Sequence, residues 1–239
     1  FAVAQLQSDF VSAVSHEFRT PLTSLKQFTD LLNESDELPS EERRTFYQAQ
    51  SRATQRLQRL VESLLDFARI EAGVRRDRRQ DLQTAQFIRE VVEEFRQEVP
   101  AKTFTFDSEI DDGCGVVNAD AEALARAIWN LLDNAVKYSG ASRNIRVLAA
   151  AENGSVAISV RDCGLGIPQH EQNEIFRKFV RGAEARTRGI KGTGIGLAMV
   201  QHIVRDHGGA MRLESTPGVG STFTILLPRK DQHGSHFDC

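Results

Sequence analysis

Ser15-His16-Glu17-Phe18-Arg19-Thr20-Pro21-Leu22 sets a histidine, a neighbouring carboxylate and a proline inside a long amphipathic helical pattern. Pro21 has no N–H to offer the carbonyl of Glu17, and its ring crowds that carbonyl, so the helix is expected to bend about one turn after His16. Such a bend tips the histidine outward. A neutral imidazole has a lone pair free to attack an electrophile, and Glu17 can hold or accept the proton on the other ring nitrogen. Taken alone, the stretch reads equally well as a surface histidine in a helix that tolerates a proline.

Around it, Leu6, Phe10, Val14, Phe18, Leu22, Leu25, Phe28 and Leu32 step by threes and fours and form one stripe on a helix. A polar turn from Asn33 to Ser40, containing Pro39, ends it. A second helix is expected after Ser40, capped by that hydroxyl and favoured by Glu41 and Glu42 in its first turn. Its stripe is Phe46, Ala49, Ala53, Leu57, Leu60, Leu64 and Phe67, running to Gly73. The pair makes an antiparallel hairpin, and a hairpin of two cannot enclose its own apolar stripe. Dimerisation into a four-helix bundle meets that need; packing onto the rest of the chain is the alternative.

At 239 residues, 40% apolar and 26% charged, the chain has the composition of a soluble globular protein of one or two domains. A net charge of −3 with interspersed signs points to neither nucleic acid nor a membrane surface. Cys114, Cys163 and Cys239 are odd in number and widely spaced, which suits a reducing cytoplasm and indicates no zinc site. No run of about 18 apolar residues is present to cross a bilayer. The helical pattern begins at once without an initiating Met, which suggests a fragment, and His233-Gly234-Ser235-His236 reads as an untethered tail.

The basic stretch Gly73 to Asp81, with Arg75, Arg76, Arg78 and Arg79, breaks the periodicity and is expected to be a linker with a short strand. After it the patterns predict helices at 84–98, 120–138 (capped by Asp120) and 193–206. Strands are predicted at 103–109, 145–151, 156–162, 210–215 and 221–227, with tight turns at Asn153-Gly154 and Pro217-Gly218. The stretch 163–191 is expected to be largely loop with short helical turns at 171–179, and a long loop in a compact domain is usually functional. The order implies helices covering one face of a mostly antiparallel sheet.

Three segments of this half carry polar groups that packing alone does not require. Asn130, Asn134, Lys137 and Tyr138 share one side of a helix opposite Ala127, Ile128, Leu131 and Leu132. An amide oxygen suits Mg²⁺, and an ammonium suits phosphate. Asp162-Cys163-Gly164-Leu165-Gly166-Ile167 ends a strand with a carboxylate able to accept the exocyclic amine of adenine, followed by glycines that let a ligand near the backbone. Gly192-Thr193-Gly194-Ile195-Gly196-Leu197 opens a helix with exposed N–H groups that favour phosphate. Singly, each is a common kind of turn.

In this order and spacing the motifs closely resemble those of the sensor histidine kinases of two-component systems. Ser15 to Leu22 resembles their H box, Asn130 to Ser139 the N box, Asp162 to Ile167 the G1 box, Phe176 to Phe179 the F box and Gly192 to Leu197 the G2 box, and the likeness runs from about Gln5 to Pro228. The resemblance implies an α+β protein: an N-terminal helical hairpin forming a dimeric four-helix bundle, then an α/β sandwich of the Bergerat (GHKL) ATPase type. The implied domains are 1–75 for dimerisation and histidine phosphotransfer and 76–230 for catalysis, with 231–239 a disordered tail. The implied cofactors are ATP and Mg²⁺.

By the same resemblance His16 is the phosphoacceptor, Glu17 its proton acceptor or orienting group, and Arg19 a neutraliser of the incoming phosphoryl group. Thr20 matches the position that orients a water in dephosphorylating the partner. Asn134 would ligate Mg²⁺, Asn130 would lie near the triphosphate, and Lys137 and Tyr138 would contact phosphate and the lid side of the nucleotide. Asp162 would read adenine, while Gly164, Gly166, Gly192, Gly194 and Gly196 would shape the pocket and lid, with Lys178, Thr193 and Leu197 also in the nucleotide set. Phe176 and Phe179 are read as anchors of the lid by packing. The implied partners are a second copy of the chain and the receiver domain of a response regulator; nucleic acid is not among them. The chain would be the cytoplasmic portion of a bacterial sensor protein anchored in the inner membrane through segments outside it.

Overall fold

A computed structural model describes residues 2–34, 39–72, 78–99, 104–140, 142–190 and 192–230, with side chains before Phe10 and at Ile70 and Glu71 left aside. The expected linker residues Arg75 and Arg76, most of the turn after Asn33, the side chain of Leu6 and the tail 231–239 lie outside the described residues. Two compact units are present, Phe1–Arg75 with Lys191–Ile195, and Arg76–Ile190 with Gly196–Cys239.

The first unit is an antiparallel pair, α1 (Ala2–Glu34) and α2 (Ser40–Glu71). Phe10 packs on Phe67 with ring centroids 6.0 Å apart and Phe28 on Phe46 at 5.7 Å, while Gln50 Nε2 donates to Thr29 Oγ1 at 2.8 Å. α1 continues through Pro21 as one helix. Around the proline, the hydroxyls of Ser15, Thr20 and Ser24 donate to the carbonyls of Val11, His16 and Thr20 at 2.8, 3.4 and 3.2 Å.

Two details differ from the sequence reading. Pro21 is buried and Leu22 is 50% exposed, because the seam that passes Val14 and Phe18 steps three residues to Pro21 and then four to Leu25. Ser40 does not cap α2 but is its first helical residue: the carbonyl of Pro39 already accepts from the Arg43 N–H at 3.0 Å. A proline suits that end, since the first turn's N–H groups have no partner within the helix.

Among the described residues Pro21 is the one apolar residue of the hairpin that is buried; the other buried apolar residues lie at Leu82 or beyond. Val11, Leu22, Leu31, Tyr47, Val61 and Leu65 stand between 42% and 61% exposed. The hairpin therefore keeps an apolar surface that its own two helices do not cover.

The second unit runs β1 (Gln80–Gln83), α3 (Thr84–Glu98), β2 (Thr105–Ile110), β3 (Val116–Ala119), α4 (Ala121–Tyr138), β4 (Asn144–Glu152), β5 (Ser155–Asp162), α5 (Ala183–Thr187), α6 (Gly196–Asp206), β6 (Ala210–Thr216) and β7 (Gly220–Lys230). The sheet order is β1-β3-β7-β5-β4-β2, with β6 also paired to β7 along Gly220–Leu226; β2 and β4 are parallel and the remaining pairs antiparallel. Alternate residues Val156, Ile158 and Val160 of β5, Ile145 and Val147 of β4 and Phe223, Ile225 and Leu227 of β7 are buried, as are Ile128, Leu131 and Leu132 of α4 and Met199, Val200 and Ile203 of α6. Period-two burial on the strands and a 3.6-residue stripe on the helices make one core between sheet and helices. α3 joins it through Phe95, whose ring meets Trp129 edge-on at 4.8 Å.

Polar groups fix the ends of the two long helices of this core. Asp120 caps α4 by accepting from the Ala123 N–H at 2.9 Å, and its own N–H donates to His207 Nε2 at 2.9 Å. Nε2 is therefore the acceptor nitrogen, so Nδ1 carries the proton and donates to the Ile203 carbonyl at 2.7 Å. Arg79, expected in a linker, instead donates to the carbonyl of Asp206 at the end of α6, and Arg78 lies 3.9 Å from Glu122 in the first turn of α4.

Candidate functional sites

On α1 the spacing separates the four predicted residues of the H box. His16, Arg19 and Thr20, three and four residues apart, are all exposed and share a face. Glu17, about 100° further round the helix, turns inward and is only 4% exposed. Its Oε2 meets Arg56 Nη2 of α2 at 3.3 Å, while its Oε1 is buried with no hydrogen-bond partner among the described residues. Arg56 is absent from the sequence reading. The only signal for it is a basic residue one place before Leu57 of the α2 stripe.

The second constellation lies where α4 ends against the β5–α6 segment. Asp162 closes β5 and is 5% exposed, with its Oδ1 accepting from the Gly164 N–H at 2.9 Å. Burial pushes this carboxyl above the ordinary carboxylate range, and the N–H groups of Gly164 and Ser221 pull it partly back. Gly164 passes so near the end of α4 that a Cβ there would lie 1.9 Å from the Tyr138 carbonyl oxygen and 2.7 Å from Ser139 Cα. The next amide, Leu165 N–H, donates to that same carbonyl at 3.1 Å. This close approach joins the N box to the G1 box.

Gly166 takes a φ of +64°, and a Cβ on it would sit 2.0 Å from the carbonyl oxygen of Thr216. Around it the loop is bonded to the β6–β7 turn: Gly218 N–H donates to the Leu165 carbonyl at 2.7 Å, and Ile167 N–H donates to Ser215 Oγ at 2.8 Å. Gln172 Nε2 reaches the carbonyls of Ile167 and Ser215 at 3.0 and 3.1 Å. Ser215, Ser221 and Gln172 are absent from the sequence reading. The signal for Ser221 is the polar run Gly220-Ser221-Thr222 opening a strand whose other inward residues are apolar; nothing local marks Ser215 or Gln172.

α6 starts at Gly196, three residues later than predicted, so Gly192, Thr193 and Gly194 belong to the preceding loop and only Gly196 and Leu197 to the helix. Asn130 Nδ2 donates to the Arg126 carbonyl at 2.9 Å, and its Oδ1 is so close to Gly196 that a Cβ there would be 2.8 Å away. The N box thus touches the helix that the G2 box opens. Asn134, one turn on, is half-buried, and its amide makes no hydrogen bond among the described residues. Lys137 pairs with Asp133 at 2.7 Å, and Tyr138 is half-buried at the end of α4.

Lys178 is exposed. Phe176 packs edge-on against Phe223 of the core, centroids 6.3 Å apart, which agrees with an anchoring part for the F box. Past it, the expected loop carries one short helix, α5; the Glu171 carboxylate accepts from the Ala183 N–H at its start, and Arg181 donates to the Ile190 carbonyl.

Comparison with known families matches residues 6–73 to the His Kinase A (phospho-acceptor) domain and residues 119–231 to the histidine kinase-, DNA gyrase B-, and HSP90-like ATPases. The first match contains the exposed His16 and the second the Asp162–Gly164–Asn130–Gly196 cluster, in one chain. The chain belongs to the sensor histidine kinases of two-component systems. Among this family, the Sensor protein DivL of Caulobacter vibrioides is 35% identical over 231 residues, 97% of this chain and 29% of that protein. The Sensor-like histidine kinase SenX3 of Mycolicibacterium smegmatis is 31% identical over 230 residues, 96% of this chain and 59% of that protein. This sensor-kinase chain thus spans between about a third and three fifths of the length of these curated relatives. Full-length ShkA, solved in complex with AMPPNP, superposes with a TM-score of 0.63 at 26% identity, covering 94% of this chain and 45% of that one. No helix among the described residues is long and apolar enough to cross a membrane.

Proposed function

We propose that this chain is the phosphorylating core of a two-component sensor: ATP bound within residues 76–230 phosphorylates His16, and the phosphoryl group then passes to an aspartate in the receiver domain of a response regulator. In the first step His16 Nε2 attacks the γ-phosphorus while the bond to the β–γ bridging oxygen breaks and ADP leaves with that electron pair. The Nδ1 proton goes to Glu17. The observation that carries the reading is an exposed histidine on a phosphoacceptor-type hairpin in one chain with a buried carboxylate set among glycines.

The nucleotide part rests on Asp162 accepting the exocyclic amine of adenine beside the backbone of Gly164 and Gly166, with the phosphates near Asn130, Lys137, the loop residues Gly192, Thr193 and Gly194, and Gly196 and Leu197 at the start of α6. Tyr138 and Lys178 lie on the lid side. The fit for Mg²⁺ is the Asn134 amide, half-buried and unbonded among the described residues, whereas the Asn130 amide and the Lys137 ammonium are already bonded within α4. A single amide oxygen suits an ion that keeps most of its ligands as water and phosphate. Bound there, Mg²⁺ supplies charge neutralisation to the triphosphate. Arg19, exposed beside His16, supplies it at the acceptor.

Residues 1–75 act as the dimerisation and phosphotransfer domain and 76–230 as the catalytic domain. The half-exposed Val11, Leu22, Leu31, Tyr47, Val61 and Leu65 are covered in the homodimer, since burying each such side chain yields roughly 1.5–3 kcal/mol when complete. A membrane anchor, where present, belongs to segments outside this chain. Thr20 adds a second activity: exposed on the His16 face, with its hydroxyl only loosely held at 3.4 Å by the His16 carbonyl, it orients a water for dephosphorylating the same regulator.

Incubation with γ-labelled ATP tests the reading. An acid-labile, base-stable label is expected, absent in His16→Gln and in Asn134→Ala. Label that persists in His16→Gln refutes the assignment, and ATP hydrolysis without any protein label makes the chain an ATPase of another kind. Thr20→Ala is expected to prolong the lifetime of the phosphorylated regulator and leave autophosphorylation unchanged.

A further inference from the structure

Glu17 is held in a way that a purely structural ion pair does not need. Its side chain is 5% exposed, in a hairpin where Pro21 is the one described apolar residue that is buried. Removing a carboxylate from water costs several kcal/mol unless both oxygens find donors. Here only Oε2 does, at 3.3 Å from Arg56 Nη2, and Oε1 is buried and unbonded among the described residues. The same chain shows the usual alternative at Arg212 and Glu152, where Nη1 and Nη2 grip Oε1 and Oε2 at 2.8 and 3.0 Å. Arg56 grips one oxygen and leaves the other.

We propose that Arg56 is a positioning residue for phosphorylation of His16: it fixes one oxygen of Glu17 so that the other is free to take the Nδ1 proton of the histidine. This rests on the reading of His16 and Glu17 given above. Neighbouring helical residues diverge by about 100°, so the carboxylate reaches the ring only by a change of rotamer. The Arg56 guanidinium, 49% exposed on a long stem, can follow that rotation while keeping Oε2 as the pivot. The step balances: Nε2–P forms, the γ-phosphorus bond to the β–γ bridging oxygen breaks with its electrons leaving on ADP, and the proton moves from Nδ1 to Oε1. Arg56 neither gains nor loses a proton.

The test is the initial rate of phosphohistidine formation against ATP concentration in the full chain, for Arg56→Gln, Arg56→Lys, Glu17→Gln and the two doubles, with thermal melts of each. Arg56→Gln is expected to lower kcat about tenfold or more with KM for ATP unchanged, since none of the proposed nucleotide residues belongs to the helical hairpin. Arg56→Lys is expected to recover kcat to within about threefold. In the Glu17→Gln background neither change at Arg56 is expected to lower the remaining rate further, because both act through the same carboxylate. An unchanged kcat, a rise in KM alone, or equal fold losses in both backgrounds overturns the proposal. Should Arg56→Gln fail to fold, Arg56→Met in the same two backgrounds decides by the same criterion. A chain that takes up no label on His16 sinks the reading of the histidine and this inference with it, whereas full labelling in Arg56→Gln sinks this inference alone.

Discussion

Replacing Asp162 by Asn tests the nucleotide pocket most sharply, because it changes charge and acceptor capacity while keeping shape. The carboxylate is 5% exposed and already accepts from Gly164 N–H, so its partner is held in a site from which water is largely excluded. A hydrogen bond to a charged group is worth about 1.5–3 kcal/mol, and about 1.4 kcal/mol corresponds to tenfold in affinity, so adenine nucleotides should bind about 10- to 100-fold more weakly. The amide also brings an NH₂ donor, which suits the 6-oxo group of hypoxanthine. Titration calorimetry with ADP and inosine diphosphate should therefore show the ADP preference of the unmodified chain collapse in the variant.

Stability should move the other way or hardly at all. Burial raises the folded-state pKa of Asp162, so its stabilising contribution is full below the unfolded pKa and is lost as pH rises through the folded one. At neutral pH the amide variant is relieved of an ionised buried group, offsetting its poorer acceptance from Gly164 and Ser221. Acidification through the raised pKa should weaken ADP binding in the unmodified chain relative to the variant, since protonation removes the charge that receives the amine. Equal losses for both nucleotides, or an ADP affinity that Asp162→Asn leaves intact, would refute an adenine-reading carboxylate.

Three further outcomes follow from the geometry. Gly164→Ala places a methyl 1.9 Å from the Tyr138 carbonyl oxygen and should cost roughly 1–3 kcal/mol of domain stability by urea titration, together with ADP binding. Leu65→Glu, at a residue of α2 that is 49% exposed, should convert the proposed dimer to a monomer by light scattering while ADP affinity stays constant. Phe176→Ala removes a half-buried ring from Phe223 and should cost about 1–2 kcal/mol, below the 3–5 typical of fully buried phenylalanines, with weaker nucleotide binding because the loop beyond it loses its anchor.

Elements with a strong period were legible from the residues alone. α3 spans 84–98 as predicted, α4 follows its Asp120 cap, and both long hairpin helices lie where their stripes put them, with Pro21 in place of Leu22 on the seam of α1. What escaped was short or relational. β1 and β3 are four residues each, too few to establish alternation, and exist by pairing Leu82 with Val117 and Val117 with Arg229 at the end of β7. α6 begins late because Gly192, Thr193 and Gly194 serve a loop, where three glycines within five residues disfavour helix. The site motifs were visible as residue types, but their joints were not: Gly164 against Tyr138, Asn130 against Gly196 and Ser215 under Ile167 are contacts between segments 26, 66 and 48 positions apart in the numbering. Nothing local distinguishes them.

Among the described residues two carboxylates are buried, Glu17 and Asp162, and each lies in a motif that the sequence singled out for chemistry. Their surroundings differ in a way that separates their parts. Asp162 is met by backbone N–H groups, which do not move with side-chain rotamers and leave a fixed acceptor suited to reading a base. Glu17 is met by one mobile guanidinium and keeps an unsatisfied oxygen, an arrangement that costs stability and serves a group that must change both rotamer and protonation. A hairpin selected only for packing has no use for an acid at that position; an apolar residue of similar volume would bury there without the desolvation penalty. The same comparison predicts that Glu17→Met stabilises the hairpin thermally while lowering phosphohistidine formation, and a variant that loses both would place Glu17 among the structural residues instead.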